Sequence, residues 1–455
     1  MVLMQTTFAF SQGVPTPLTL EDYTRRAVKE GVNGRQTDWV LEQAGYARDV
    51  VLRQTAYPTL SAQYDHFRSE AQDNVLGLDT ITDTNRTSLN LTEQTPLGTV
   101  INASTQYGSS TDPSAVGRPR VAASIQQPLY IFVKNDVMRQ RLLADLNFAT
   151  AKNTYETSVL SLRSQARSDY YNVVLGEESV KVEERQVTSL QKLVDVTHAL
   201  VDAGKAAPVE LMRAKIRLQV QQSQLDNVTA QRDQAVLTAK NFAFMPLDEP
   251  VSFVTQLEFT PFQIALQRLV DYAVLHQPQL EARRHDVDSK RLLYDASVEP
   301  TRPTFNLNGT YNENEYKDVL LTHGWSWTGT AKWTFFDGFV TNAKAKSARI
   351  DQWVADLNLA DAERTTRVRV QSTYIDIKNT EKQIQYFKLS LDQAQRNVEV
   401  ERLRFQNGLA QLTDVFDSEN ELRSLNNQYL GLLVKFNTSK DSLSQLIGTD
   451  VETLQ

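Results

Sequence analysis

From Phe339 to Asn407 the chain runs for 69 residues without a single Gly or Pro. Those two residues are the strongest helix breakers, so a stretch lacking both can continue as one helix. At about 1.5 Å per residue, an uninterrupted helix of this length reaches roughly 100 Å, more than a globular domain requires. Val370, Ile377, Ile384, Leu391, Val398 and Phe405 recur every seven residues, which keeps one apolar seam turned toward a partner helix. After Gly408 the seam resumes as Val415, Leu422, Tyr429, Phe436 and Leu443, with Leu425, Leu432 and Leu446 beside it. The pattern predicts a long helical hairpin that turns near Gly408.

The first half of the chain repeats the plan. Val173, Val180, Val187, Val194 and Val201 form a heptad series ending at a turn around Gly204, and a return helix is predicted from about Val209 to Phe244. The two turns, Gly204-Lys-Ala-Ala-Pro-Val-Glu210-Leu211 and Gly408-Leu-Ala-Gln-Leu-Thr413-Asp414-Val415, align at an offset of 204 residues, so the chain reads as internally duplicated. Each long hairpin is preceded by a predicted helix pair, Thr19 to Ala56 with a capping box at Thr19 and Asp22, and Pro261 to Val298 broken at Pro278. The predicted organisation is an N-terminal segment 1–17, a first repeat 18–250, a second repeat 251–449 and a short tail 450–455.

Between each helix pair and its long hairpin the periodicity changes from helical to strict alternation. Trp325, Trp327, Gly329, Ala331, Trp333 and Phe335 fall on one face, and Ser326, Thr328, Thr330, Lys332 and Thr334 on the other. Phe305, Leu307, Gly309 and Tyr311 pattern the strand before it. The first half offers Leu60 to Phe67, Ser88 to Thr92, Thr99 to Tyr107 and Val121 to Tyr130. One polar and one aromatic-rich face suits a lipid-facing barrel, with Trp and Tyr at the interface, although one face of a soluble sandwich reads similarly.

Composition narrows the classes. The sequence pI of about 5.5 and net charge of -7 give no basic bulk for nucleic acid. Cysteine is absent, which removes disulfides, thiolate metal sites and cysteine catalysis. No run approaches the roughly 18 to 20 apolar residues of a transmembrane helix, so any crossing must be made by strands. The start, with Thr7-Phe8-Ala9-Phe10-Ser11-Gln12, reads as the end of an export signal, an ordinary frayed terminus being the plainer reading. The five histidines have no metal-ligand spacing, and no phosphate loop, dinucleotide turn or Gly-x-Ser-x-Gly elbow occurs. The expectation is a protein that is no enzyme and holds neither cofactor nor metal.

Neither half carries enough strands to close a sheet, and an open edge in lipid would leave backbone groups unpaired. Helix pair, strand hairpin and long helical hairpin, twice over, resemble the TolC family of outer-membrane channel proteins. The resemblance is carried by Tyr57-Pro58-Thr59-Leu60 and Pro303-Thr304-Phe305 entering the strands, by Gln127-Pro128-Leu129-Tyr130 and Trp333-Thr334-Phe335-Phe336-Asp337-Gly338 leaving them, and by the two turns. It runs from about Leu18 to Thr449. It implies a mainly α fold with membrane β-strands: long antiparallel coiled-coil hairpins and strands given to a barrel shared by three copies. It also implies a passive exit duct of a tripartite efflux or type I secretion system, spanning the outer membrane of a Gram-negative bacterium and the periplasm. Its partners would be a periplasmic adaptor, an inner-membrane transporter and outer-membrane lipid.

The resemblance also nominates residues. Asp414 and Asp417, three apart at a helix start, match acids that line the family's periplasmic entrance, where three copies would give six carboxylates that attract cations. Read from spacing alone, they are acids complementing a helix dipole. Phe405 and Ala410 stand where well-known members have a Tyr and an Arg that lock the entrance, so closure here must rest on other contacts or on apolar packing. Gly204, Glu210, Leu211, Gly408, Thr413 and Val415 are the candidate adaptor-docking turns; the plainer reading is chain reversal at a permissive glycine. Trp325, Trp327 and Trp333 are candidate membrane-interface anchors, with core packing as the plainer reading.

The first half carries an insert between about Glu70 and Arg120 beyond the family's four strands per chain, twelve per trimer. Its strand-like segments around Leu89 to Leu91 and Val100 to Ala103 either enlarge the barrel or project as a surface hairpin, and the surface hairpin is the expectation. A soluble coiled-coil scaffold with a small β cap remains open as the alternative.

Overall fold

The computed structural model describes residues 16–73, 78–110, 120–316 and 319–454; the export-signal segment lies outside them. Eight helices and eight strands occur among the described residues: β1 Thr16–Leu18, α1 Leu20–Glu30, α2 Val32–Gln54, β2 Thr59–Asp73, β3 Leu78–Gln94, β4 Val100–Ser110, β5 Arg120–Leu129, α3 Asp136–Asp202, α4 Pro208–Phe242, β6 Val251–Phe253, α5 Leu266–His276, α6 Pro278–Val298, β7 Thr304–Tyr316, β8 Val319–Lys332, α7 Val340–Gln406 and α8 Leu412–Ile447. The duplication is exact in its longest element, since α3 and α7 each have 67 residues and Val340 lies 204 residues after Asp136. Their partners α4 and α8 have 35 and 36 residues.

The chain divides into two compact units, one formed by residues up to Val40, Thr154–Leu280 and residues from Ala362 onward, the other by Leu41–Asn153 and Glu281–Asp361. Each unit takes residues from both sequence repeats. The first unit is helical and contains three buried apolar clusters. One joins Phe262, Leu269, Val370, Ile377, Ile384, Phe436, Leu443 and Ile447. A second gathers Tyr23, Tyr170, Val173, Ala239 and Phe253, and a third Leu190, Val194, Leu218, Phe405, Leu412 and Val415. Most of the seven-residue series thus forms core, because an apolar seam on a helix removes its surface from water only against another seam. Parallel pairing of β1 with β6 joins the starts of the two repeats. The buried Tyr170 hydroxyl donates to the Leu18 carbonyl at 2.9 Å and accepts from the Thr255 amide at 2.9 Å, leaving no polar cost to its burial.

The second unit holds one six-stranded antiparallel sheet in the order β2-β3-β4-β5-β7-β8. Its register sorts the side chains by row. Leu60, Leu91, Ala103, Ala123, Tyr311 and Trp325 stand opposite one another across all six strands. The next row, on the other face, is Thr59, Thr92, Asn102, Ser124, Thr310 and Ser326. The large apolar side chains of the first face are exposed, Leu60, Tyr64, Leu89, Tyr107, Ile125, Leu307, Trp325 and Trp327 among them, while the polar face ranges from exposed Ser326 and Thr328 to buried Ser88.

The insert corrects the expectation of a projecting hairpin. β3 and β4 lie within the sheet, pairing with β2 over Thr59 to Asp73 and with β5 over Arg120 to Gln126. The physical reason is their alternation, which continues both faces of the neighbouring strands, so that insertion pairs backbone on both sides and keeps every face in phase.

Candidate functional site

In the first unit both long hairpins reverse through the same bonding pattern. Gly204 has φ +67 and Gly408 φ +72. The Gly204 amide donates to Val201 and the Lys205 amide to Leu200; the Gly408 amide donates to Phe405 and the Leu409 amide to Arg404. These are the paired bonds of a helix C-cap that requires a left-handed residue, which explains the glycine in each. The two turns border one cleft, lined by Leu200, Lys205, Glu210, Phe405, Gly408 and Thr413, among others.

The nominated residues separate by depth. Gly204, Gly408, Thr413, Asp414 and Asp417 are exposed, and Glu210 is half-buried with an ion pair to Arg213 at 3.1 Å. Asp414 completes a capping box: its carboxylate accepts from the Gln411 amide at 2.9 Å while the Gln411 side chain caps the third helical residue. Leu211 and Ala410 pack against the apolar cluster that contains Phe405 and Val415. Val415 has no exposed surface, so it supports the turn from beneath instead of offering a contact on it. Phe405 likewise points its ring into the interface between the hairpins, a consequence of its place in the heptad series.

Sequence reasoning missed two buried carboxylates beside this cluster. Glu419 of α8, 1% exposed, accepts from Ser189 at 2.8 Å and Gln186 at 3.0 Å on α3 and from Arg402 of α7 at 2.8 Å; Arg402 also donates to Ser189. Glu183 of α3, equally buried, accepts from Gln221 of α4 and from Asn427 of α8 at 3.3 Å, with Arg423 at 3.4 Å. The network therefore bonds the first-repeat hairpin to the second-repeat hairpin. A signal existed: Glu419 lies four residues after Val415 and Glu183 three after Val180, which puts both charges on the seam side of their helices.

A third buried acid lies deeper in the same unit. Arg167 of α3 pairs with Asp441 of α8 at 2.6 Å and with Asp450 at 3.2 Å. Among the described residues Asp441 Oδ2 has no donor. Burial pushes the Asp441 carboxyl up to about 6, against the opposing pull of Arg167.

In the second unit the three tryptophans are exposed, two within β8 and one just after it. Trp325 and Trp327 stand on the apolar face of β8. Trp333 follows β8, donates its indole N–H to the Thr301 carbonyl at 3.0 Å and packs against Phe335 with ring centroids 4.7 Å apart. Gly309, opposite Trp327, leaves room for the indole, since a Cβ there would meet the ring at 2.7 Å. Among the described residues no helix is long and apolar enough to cross a membrane.

A sheet with an apolar exposed face, a polar opposite face and, among the described residues, two free edges, in a chain of duplicated long helical hairpins, defines the channel-forming class of outer-membrane proteins. Residues 42–240 and 269–449 match the model of the outer membrane efflux protein family, and the chain belongs to that family. Similar solved structures include the CmeC outer membrane channel of Campylobacter jejuni, 14% identical over 94% of this chain and 85% of that one, with TM-score 0.71. VceC of Vibrio cholerae is 12% identical over 94% and 96%, TM-score 0.73, and the open-state MtrE channel of Neisseria gonorrhoeae 14% over 95% and 89%, TM-score 0.73. These identities speak to the fold. No curated protein matches the chain. It is an outer-membrane efflux channel of a trimeric family of conduits, and the soluble scaffold alternative has no support.

Proposed function

We propose that three copies of this chain assemble a passive duct through the outer membrane and into the periplasm, the exit component of a tripartite efflux or type I secretion assembly. The observation that carries this reading is the open sheet: an exposed apolar face backed by hydroxyl and amide rows suits lipid outside and water within, and its unpaired edges need further copies. Within each copy the two repeats, 18–250 and 251–449, supply equivalent hairpins. Trp325, Trp327 and Trp333 anchor the wall at the lipid interface.

At the far ends of the hairpins, the cleft between the Gly204 and Gly408 turns, with Glu210, Leu211 and Thr413, receives a periplasmic adaptor, which couples the duct to an inner-membrane transporter. Val415 sets the shape of that cleft. Asp414 and Asp417 from three copies ring the periplasmic entrance. In place of a Tyr and Arg lock, closure rests on the Phe405 cluster and on the Glu419–Arg402–Ser189 and Glu183–Arg423 bonds that hold one hairpin to the other. Such a buried network contributes register more than net stability, because desolvation offsets most of the Coulomb gain, while removing one partner alone leaves a buried charge.

Membrane fractionation tests the assembly: a trimer released only by detergent and dissociated by heating is expected, and a monomer in the soluble fraction would end the proposal. In planar bilayers, Asp414→Asn with Asp417→Asn should weaken block of the current by divalent cations at the periplasmic side. Block unchanged from wild type would mean that these carboxylates do not face the lumen.

A further inference from the structure

We infer that the inserted hairpin β3–β4 is part of the membrane wall, so that three copies close an eighteen-stranded barrel in place of a twelve-stranded one. The inference rests on the trimeric duct proposed above and adds to it the size of the pore and the partner of each free strand edge.

Three observations lead there. Within one chain the sheet is continuous from β2 to β8, with the insert paired on both sides and no break in register at either of its junctions. Its faces are in phase with the rest: Leu89 and Leu91 of β3 and Ala103 and Tyr107 of β4 continue the apolar face, while Ser88, Asn90, Asn102 and Ser104 continue the polar one. Leu89 and Tyr107 are 47% and 62% exposed against 7% for Ser88, and the large apolar residues on the same face of the flanking strands, Leu60, Tyr64, Val121 and Ile125, are exposed as well. A hairpin standing free in water would have no reason to present leucines to solvent in phase with a neighbouring wall.

Length agrees as well. A tilted strand crosses the hydrocarbon layer in about 9–11 residues. β3 and β4 have 17 and 11 residues, so both strands of the insert are long enough, as β5 is with 10.

Parity fixes the partner. Six strands that alternate in direction leave β2 and β8 at the two edges running opposite ways. The β8 edge of one copy can then pair antiparallel with the β2 edge of the next, and three such junctions close the ring without a parallel pair or an exposed edge. The occupant of each edge is a second copy of this chain, and the occupant of the apolar face is lipid. Barrel diameter grows roughly linearly with strand number, so eighteen strands against twelve widen the pore about 1.5-fold and roughly double its cross-section.

The absence of cysteine makes the test clean, because introduced thiols are the only ones present. In the full-length trimer in lipid, Ala62→Cys with Leu89→Cys and Ala103→Cys with Ala123→Cys should both cross-link under mild oxidation, read as loss of maleimide labelling. Spin labels at 89, 91 and 103 should be accessible to oxygen and those at 90, 102 and 104 to a water-soluble nickel chelate, the ratio reversing at each step. Images of the trimer in nanodiscs should count eighteen strands. A conducting trimer with twelve strands, in which the 103–123 pair stays reduced and both faces of the hairpin are open to the chelate, would overturn the inference while leaving the duct intact. A soluble monomer would overturn both.

Discussion

The two compact units use apolar residues in opposite ways. In the helical unit Ile377, Phe436, Leu443 and Val415 have essentially no exposed surface, and three of the buried charges, Glu183, Glu419 and Asp441, are bonded across helices. In the sheet of the second unit the large apolar side chains Leu60, Leu89, Leu307 and Trp325 are exposed. The same hydrophobic effect acts on both. What differs is where burial is completed: the first unit removes its apolar surface from solvent internally, while in the proposed duct it is lipid that would cover the apolar face of the second.

Substitutions that exchange these roles would break the comparison. The largest effect is expected from Ile377→Ala, which opens a cavity in a closed core and should cost about 2–5 kcal/mol. Leu89→Ala, equal in chemistry, should leave thermal unfolding in detergent nearly unchanged. Equal losses at both sites would mean that the sheet has an internal core after all.

Next in size is a charge on the lipid face. Leu307→Arg should cost about 2–4 kcal/mol per copy at mid-membrane depth, seen as loss of trimer from the outer membrane. Asn308→Arg, one residue along on the polar face, should assemble normally. If the two behave alike, the assignment of faces is wrong.

The smallest effect sharpens the account of the helical unit. Asp441 has a folded-state pKa near 6, raised above the ordinary carboxylate value by burial. The folded state therefore holds its proton more tightly than the unfolded chain. The sign follows: this group's contribution is fully present below about pH 4 and is lost as pH rises through about 6. Asp441→Asn should flatten the dependence of melting temperature on pH across that window. A wild-type curve with no fall between pH 4 and 6 would show that Arg167 holds the carboxylate charged throughout.

Much of the architecture was legible in local pattern. The 69-residue stretch free of Gly and Pro, the seven-residue seam and the paired turns located α3, α4, α7 and α8 and their duplication, because helices of this length are specified by local propensity and one apolar face. Alternation located the strands but shortened them: Leu60 to Phe67 became Thr59–Asp73, and Ser88 to Thr92 became Leu78–Gln94. Polar stretches such as Thr82 to Thr87 carry little alternation to read, and they are strands because a neighbouring strand supplies their hydrogen bonds.

At the candidate site, the turns and Asp414 could be placed from sequence, whereas the depth of Phe405 and Val415 and the bonds of Glu183 and Glu419 could not. Spacing tells which residues share a helix face, and only the packed hairpins decide which faces meet and which carboxylate finds which donor.

By itself, then, the sequence determined the rods, the repeat, the two turns and the two-faced character of the strands, all of which follow from periods of seven and two along one chain. Only the tertiary structure decided that the insert enters the sheet, that Phe405 faces a neighbouring hairpin and that Glu419 bonds to Ser189. Those outcomes depend on contacts between residues far apart in sequence, and no local period encodes which distant surface a strand edge or a buried charge will meet.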